Sequence, residues 1–185
     1  MKNSEIAQAF SPGRRRWLML SGMTAGAFAL ESTRAFGASG GEISHTAEAI
    51  HQEVTFNAKP DRVYNALTDA ASFQKLESFS DAMHSLDIAA HPAKISDEPG
   101  GAFSLFGDYV TGRQIELIRN QRIVQAWRSA SWDSGAYSIA RFELTPVDAG
   151  TKLIFDHTGF PAGTAEHLVR GWYSNYWDPL RKFLE

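Results

Sequence analysis

His157 is the residue whose type and position best suit chemistry in the interior of this protein. It follows Leu153 and Phe155 at a spacing of two, so an extended strand would place all three side chains on one face. An inward imidazole could orient a ligand or act as an acid or base. The alternative is structural, because a histidine at the end of a strand often hydrogen-bonds a backbone carbonyl.

Arg113 is the second candidate. It shares a parity with Ile115 and Leu117, so the alternation predicts that its guanidinium lies on the apolar face of a strand. A guanidinium there could pair with a ligand carboxylate. The alternative is an ion pair at the rim, with Asp108 or another acidic residue.

Large apolar side chains share the predicted inward faces with these two residues. We predict that a ligand-binding cavity lies between a sheet and a helix, because apolar pockets with a few polar groups are typical of such sites. The same rings could instead fill a dry core. With Arg113 and His157, the predicted lining residues are Phe103, Leu105, Trp127, Phe142, Phe155, Trp172 and Tyr176.

Other reaction types find little support. The chain has no cysteine, and its six histidines are not spaced as metal ligands. No serine has the glycine pattern of a nucleophile elbow, and Gly100-Gly101 lacks the lysine and helix start of a phosphate loop. We therefore predict no metal and no cofactor, name no catalytic residue, and favour a binding protein over an enzyme.

The elements that position these residues are a set of strands and a long final helix. Residues 163–185 carry apolar and aromatic residues at steps of three and four, which predicts an amphipathic helix with Thr164 as its N-cap. Pro179 predicts a kink within it. Short alternating segments predict an antiparallel meander with one apolar face. These strands are 102–106, 109–118, 122–128, 137–147 and 151–158.

The segment before the meander predicts a strand followed by two short helices. Residues 50–56 alternate with a period of two, residues 60–67 form an amphipathic helix that starts at Pro60, and residues 70–79 form a second helix or turn. Residues 87–94 indicate an edge strand, because Pro92 does not suit a central one. The predicted class is α+β, with a curved sheet covered by the final helix.

The N-terminus resembles an export signal. Arg14, Arg15 and Arg16 precede Trp17 and Leu18, and a short apolar run then leads to small residues. We predict a twin-arginine signal over 1–38, a linker over 39–43 and one domain over 44–185, hence a periplasmic or exported protein. A membrane anchor formed by an uncleaved signal and a disordered basic tail are the alternatives.

The charge of the chain argues against nucleic acid as a partner. The formal net charge is −3, and removal of the predicted signal, which carries a net +3, would make it −6. An acidic domain without a basic stripe binds nucleic acid poorly. A membrane contact is expected only during export or through an uncleaved signal.

Several motifs, in order along the chain, resemble the C-terminal domain of the activator of heat-shock protein 90 ATPase, within the START-like (SRPBCC) superfamily. This resemblance implies a helix-grip fold, in which a curved sheet grips the last helix, often over a cavity. The segment VYNALTD at 63–69 resembles the first-helix signature of the superfamily. The motifs that resemble the activator domain are GGAF at 100–103, Gly112, RIVQAWR at 122–128, GTKL at 150–153, GWY at 171–173, YW at 176–177 and PL at 179–180.

For function, the resemblance implies a partner that is a small apolar or amphipathic ligand, as in many members of the superfamily. Two alternatives stay open: an enzyme of the same fold, and a chaperone-associated interaction module with a protein partner not yet identified. Trp132, in a predicted loop, would serve such a partner if exposed and would be ordinary if folded back.

Overall fold

The computed structural model describes residues 48–80, 86, 88 and 90–185. The predicted export signal and linker lie outside the described residues, as does part of the predicted edge strand at 87–94. The helices are α1 (Pro60–Thr68), α2 (Ala70–Glu77), α3 (Ala165–Trp172) and α4 (Asp178–Leu184). The strands are β1 (Glu48–Phe56), β2 (Lys94–Ile95), β3 (Ala102–Leu105), β4 (Val110–Ile118), β5 (Arg122–Ser129), β6 (Ser138–Val147) and β7 (Gly150–Phe160).

The strands form one antiparallel sheet in the order β1-β7-β6-β5-β4-β3-β2. Alternation along β5, β6 and β7 puts side chains such as Ile123, Phe142 and Phe155 inside and side chains such as Arg141 and Asp156 outside. The inner face is covered by the last helical segment, and α1 and α2 pack against α4. The predicted α+β helix-grip class is therefore confirmed.

The predicted faces of β4 are wrong in its first half. Gln114 is fully buried, whereas Ile115 is 52% exposed. The pairing register with β5 shifts between Gln114 and Glu116, because Ile115 is an extra residue in a β-bulge. Inward positions therefore run from Gln114 directly to Leu117, and Arg113 lies on the outer face.

The final helical segment is interrupted just before Pro179, the residue at which the sequence predicts a kink. Residues Tyr173–Trp177 form a π-helical turn, in which the Asp178 N–H donates to the Tyr173 carbonyl five residues earlier. Pro179 then lies in the first turn of α4, where its missing N–H costs little. No helix in the described part of the chain is both long and apolar enough to cross a membrane.

The start of α3 is capped from a distant strand. Thr164 occupies the predicted N-cap position, but its hydroxyl donates to the Pro161 carbonyl instead of capping the helix. Both carboxylate oxygens of Glu48 accept backbone N–H groups there, from Gly163 at 2.9 Å and from Ala165 at 3.1 Å. An acidic side chain at this end also suits the helix dipole.

The contact between β3, β4 and β5 makes a glycine necessary at 112. A Cβ on Gly112 would lie 2.0 Å from the Ala126 carbonyl oxygen and 2.4 Å from the Phe103 ring. At Gly171, in α3, the nearest atom would be 3.8 Å away. The two glycines therefore differ in steric demand.

We predict that Gly112→Ala lowers the free energy of unfolding by about 2 kcal/mol, because overpacking against backbone cannot relax cheaply. Gly171→Ala is the matched control, and it should be neutral or stabilising by up to about 1 kcal/mol, since alanine favours helix. Urea unfolding followed by circular dichroism measures both. Equal stability of the two variants would contradict the close approach at Gly112.

Candidate functional site

A cavity of about 590 Å³ lies between α3, the π-helical turn and the adjoining ends of β4 and β5. Its described lining is mainly apolar and aromatic, and it includes no lysine, arginine, aspartate or glutamate. The lining residues are Leu86, Phe106, Tyr109, Val110, Trp127, Ser129, Ser131, Trp132, Thr164, His167, Leu168, Gly171, Trp172, Ser174, Asn175 and Tyr176. Such a surface suits an uncharged, largely apolar molecule.

Two other depressions are more polar. The larger, of about 720 Å³, lies beside the start of α1 and includes Lys59, Asp61, Arg122 and Glu143. The second, of about 530 Å³, includes Arg62 and Arg181. In the larger depression, the Arg122 guanidinium is bonded to the carboxylate of Glu143 at 2.9 Å, so these charges neutralise each other. We therefore take the apolar cavity as the candidate site.

The structure brings three of the nine predicted residues to this cavity: Trp127, Trp172 and Tyr176. Five others are buried in the packed core without lining it: Phe103, Leu105, Phe142, Phe155 and His157. Trp132 is folded back, with its ring 5.3 Å from that of Trp127, as the ordinary interpretation expects.

The prediction that Arg113 faces the interior is wrong, because the bulge at Ile115 leaves its side chain on the exposed face. Its guanidinium donates to the Gly100 carbonyl at 2.8 Å. The rim partner suggested for it, Asp108, instead accepts from Ser104 and contacts His91.

His157 is fully buried and sits in a defined chain of hydrogen bonds. The Trp172 indole N–H donates to its Nδ1 at 3.0 Å. An indole nitrogen can only donate, so Nδ1 must be unprotonated and the proton lies on Nε2. Nε2 then donates to the Ser138 hydroxyl at 2.6 Å, which donates in turn to the Trp127 carbonyl at 3.1 Å.

This arrangement makes His157 a structural residue. Burial lowers its pKa to about 3, so the imidazole is neutral in the folded protein. Since Nδ1 is an acceptor and Nε2 a donor, neither nitrogen is free to take a proton from Ser138. The Ser138–His157 pair therefore lacks the polarity of a nucleophile and its base.

Glu77 is a buried polar residue that the sequence did not single out. It lies at the end of α2 with no exposed surface, and burial raises its pKa to about 7. Its Oε1 accepts the backbone N–H of Phe106 at 2.5 Å. Phe106 has a positive φ of 51°, which is costly for a residue other than glycine, and this bond stabilises the turn. Phe106 also lines the cavity.

The exposed cluster of Ser104, Asp108 and His91 has the residue types of a catalytic triad but not its order. Asp108 lies in the middle, with one oxygen accepting from Ser104 and the other 2.8 Å from the His91 Nδ1. A triad needs the histidine between the other two. Over the described ranges, no cluster of three or more His, Asp or Glu side chains could hold a metal ion.

We predict that His157 contributes a measurable acid sensitivity. The folded protein keeps its imidazole neutral down to about pH 3, whereas the unfolded chain takes up a proton below the ordinary pKa of 6.5. Stability is therefore complete above that value and falls as the pH decreases from 6.5 towards 3. Between roughly pH 7 and 5 the loss due to this residue should be about 2 kcal/mol.

His157→Gln should abolish that loss, because its amide can accept from Trp172 and donate to Ser138 without titrating. The measurement is the free energy of unfolding in urea at the two pH values, with the exposed His51→Gln as control. The same acid loss in His157→Gln as in the unchanged protein would show that His157 is not buried in its neutral form.

Comparison with known proteins identifies the family to which the chain belongs. Residues 57–185 match the family described as "Activator of Hsp90 ATPase homolog 1-like protein". The chain is 26% identical to the mouse activator of 90 kDa heat shock protein ATPase homolog 2 over 137 residues, covering 74% of this chain and 38% of that protein. A Schizosaccharomyces pombe protein is 33% identical over 128 residues, covering 69% and 34%.

The solved structure of an HSP90 activator from Plasmodium falciparum superposes with a TM-score of 0.62 at 26% identity, covering 75% of this chain and 96% of that one. The chain spans about a third of the length of the curated relatives it matches. Because the family match covers well over half of the sequence and the topology agrees, the chain belongs to the family of activator of Hsp90 ATPase homolog 1-like proteins.

Proposed function

We propose that this protein binds a small apolar or amphipathic molecule in the cavity between α3 and the ends of β4 and β5. The observation that carries the proposal is the cavity itself, of about 590 Å³ and without a Lys, Arg, Asp or Glu in its described lining. Pockets for small molecules span roughly 300–1,000 Å³ and have mainly apolar walls.

The aromatic walls are held in place independently of any ligand. The Trp172 ring centroid lies 4.2 Å from those of both Phe155 and Tyr176, and the tilted Trp127 ring lies 5.7 Å away. The bond from Trp172 to His157 fixes the orientation of the indole. A preformed wall lowers the entropic cost of binding.

The alternative of an enzyme loses the two groups on which it rested. His157 does not line the cavity and is fully engaged in structural hydrogen bonds, and Arg113 lies on the other face of the sheet.

A protein-interaction module is the second candidate, favoured by large apolar side chains exposed on the outer face. Ile115 and Ile139 are exposed there, Tyr137 is 51% exposed, and Ala126 pairs with Ile139 across β5 and β6. The names of the relatives point to a chaperone ATPase as the partner to test. An unchanged rate of that ATPase on addition of this protein would exclude the activator role.

We further propose that the protein is exported through the twin-arginine pathway. The support is the sequence of residues 14–18, in which paired arginines precede two bulky apolar residues. Export would separate the protein from cytosolic chaperones and so favours the ligand-binding function over the interaction module.

Gly171→Leu should block the cavity without unfolding the protein. Gly171 lines the cavity, and a side chain there meets nothing closer than 3.8 Å at its Cβ. We expect uptake of an apolar fluorescent probe, or of a co-purifying molecule seen by native mass spectrometry, to fall at least about tenfold, as the loss of roughly 1.4 kcal/mol of contact would produce.

Gly171→Ala is the control, since one methyl leaves most of the cavity open. Melting temperatures of both variants confirm that the fold is retained. Equal uptake by Gly171→Leu and the unchanged protein would place any ligand elsewhere, and no uptake by the unchanged protein would refute binding in this cavity.

Arg14→Lys/Arg15→Lys should abolish export, because the pathway reads the paired arginines and not their charge alone. The measurement is cell fractionation of the full chain in a bacterium with a twin-arginine pathway. Arg34→Lys is the control, as it changes an arginine outside the pair. Export of the double variant at the normal level would contradict the proposal.

A further inference from the structure

Three buried polar atoms have no hydrogen-bond partner within the described chain. Tyr176 Oη and Trp127 Nε1 belong to residues that line the cavity, and Glu77 Oε2 belongs to a residue that contacts the lining residue Phe106. All three residues have more than nine-tenths of their surface buried. A buried polar atom without a partner costs about 1–3 kcal/mol. Such atoms need an explanation, and a bound molecule that supplies their partner is one.

The three atoms belong to one neighbourhood. Tyr176 and Trp127 line the cavity, and both rings pack on Trp172. Glu77 is joined to the cavity wall through the backbone of Phe106, whose ring is 5.3 Å from that of Tyr176.

The effects on Tyr176 agree with this placement. Burial chiefly raises the pKa of its hydroxyl, the Trp127 indole lowers it in part, and the carboxyl of Glu77 raises it further. The Trp127 N–H is therefore close to the Tyr176 hydroxyl, although the two do not meet the geometry of a hydrogen bond. The Trp127 N–H and the Tyr176 hydroxyl can therefore each still form a hydrogen bond with a third group.

The donor and acceptor types define that group. The indole N–H can only donate, an ionised carboxylate oxygen can only accept, and the tyrosine hydroxyl does both. A hydroxyl serves all of them, because it accepts from Trp127 or Tyr176 and donates to Glu77. A carbonyl or ether oxygen would leave the ionised form of Glu77 without a donor; with a pKa of about 7 this is the main form above pH 7. A carboxylate would meet its charge with no lysine or arginine in the described lining.

We propose that the natural guest of the cavity is an uncharged, mainly apolar alcohol or phenol, whose hydroxyl lies among Glu77, Tyr176 and Trp127 while its apolar body contacts the aromatic walls. This inference rests on the proposed function, because it requires the cavity to be the binding site.

The test compares two probes that differ in whether one oxygen carries a hydrogen or a methyl group. 2-Naphthol can donate and accept, whereas its methyl ether, 2-methoxynaphthalene, can only accept. Equilibrium dialysis of each probe against the full chain at about pH 8, where Glu77 is mainly ionised, gives the ratio of the two dissociation constants. Comparing this ratio between variants cancels the hydration difference between the probes.

Glu77→Gln is the main variant. Its amide oxygen can keep the bond from Phe106, while the free end becomes a donor instead of an acceptor. We expect the preference for 2-naphthol over the ether to fall about tenfold, the effect of roughly 1.4 kcal/mol and typical of a lost hydrogen bond. Glu166→Gln, an exposed carboxylate on α3, is the matched control and should keep the preference.

Tyr176→Phe provides a second variant that leaves Glu77 intact and should also reduce the preference. If both probes bind but every variant keeps the ratio of the unchanged protein, the hydroxyl subsite is refuted and the cavity remains a binding site. If neither probe binds, the proposed function fails instead.

Discussion

The packing of Trp172 against the sheet is the interaction on which the rest of the structure depends. Its ring contacts Phe155 and Tyr176 at 4.2 Å, and its N–H donates to the buried His157. The ring therefore contributes apolar burial, while the hydrogen bond sets where along the strand the helix lies. A loss of such a buried aromatic typically costs about 3–5 kcal/mol. Because Trp172 is also a wall of the cavity, the same contact supports both fold and site.

The cavity follows from how the helix continues on either side of Trp172. Gly171 presents no side chain towards it, so space remains where a leucine would fill the gap. After Trp172 the π-helical turn adds one residue to the helical repeat, which brings both Tyr176 and Trp177 into the buried layer. Such turns in helices often mark functional sites. Here the turn accommodates Pro179 and also brings Tyr176 to the cavity wall.

The sequence predicts the fold well because its apolar periodicities are regular in β5, β6, β7 and α3. In these elements most apolar residues lie on the buried face and most polar residues on the exposed face. It fails at Ile115, since a β-bulge changes parity without any local sign in the side chains. It also misses the capping of α3 by Glu48, because that contact joins residues more than a hundred positions apart. The bulge at Ile115 also places Arg113 on the outer face, so one predicted ligand contact is lost.

The candidate site was harder to predict, because aromatic residues that line a space and those that fill it look alike in a sequence. Phe142 and Phe155 are as apolar as Trp127 and Tyr176, yet only the latter pair borders the cavity. The two pairs differ in their polar atoms. Trp127 and Tyr176 each have a buried polar atom without a described hydrogen-bond partner, near Glu77, which has another. A fully packed core gains no stability from such groups, since replacing them by apolar groups of the same shape can be nearly neutral or stabilising. Their presence on the cavity side is therefore better explained by a guest with its own hydroxyl than by packing alone.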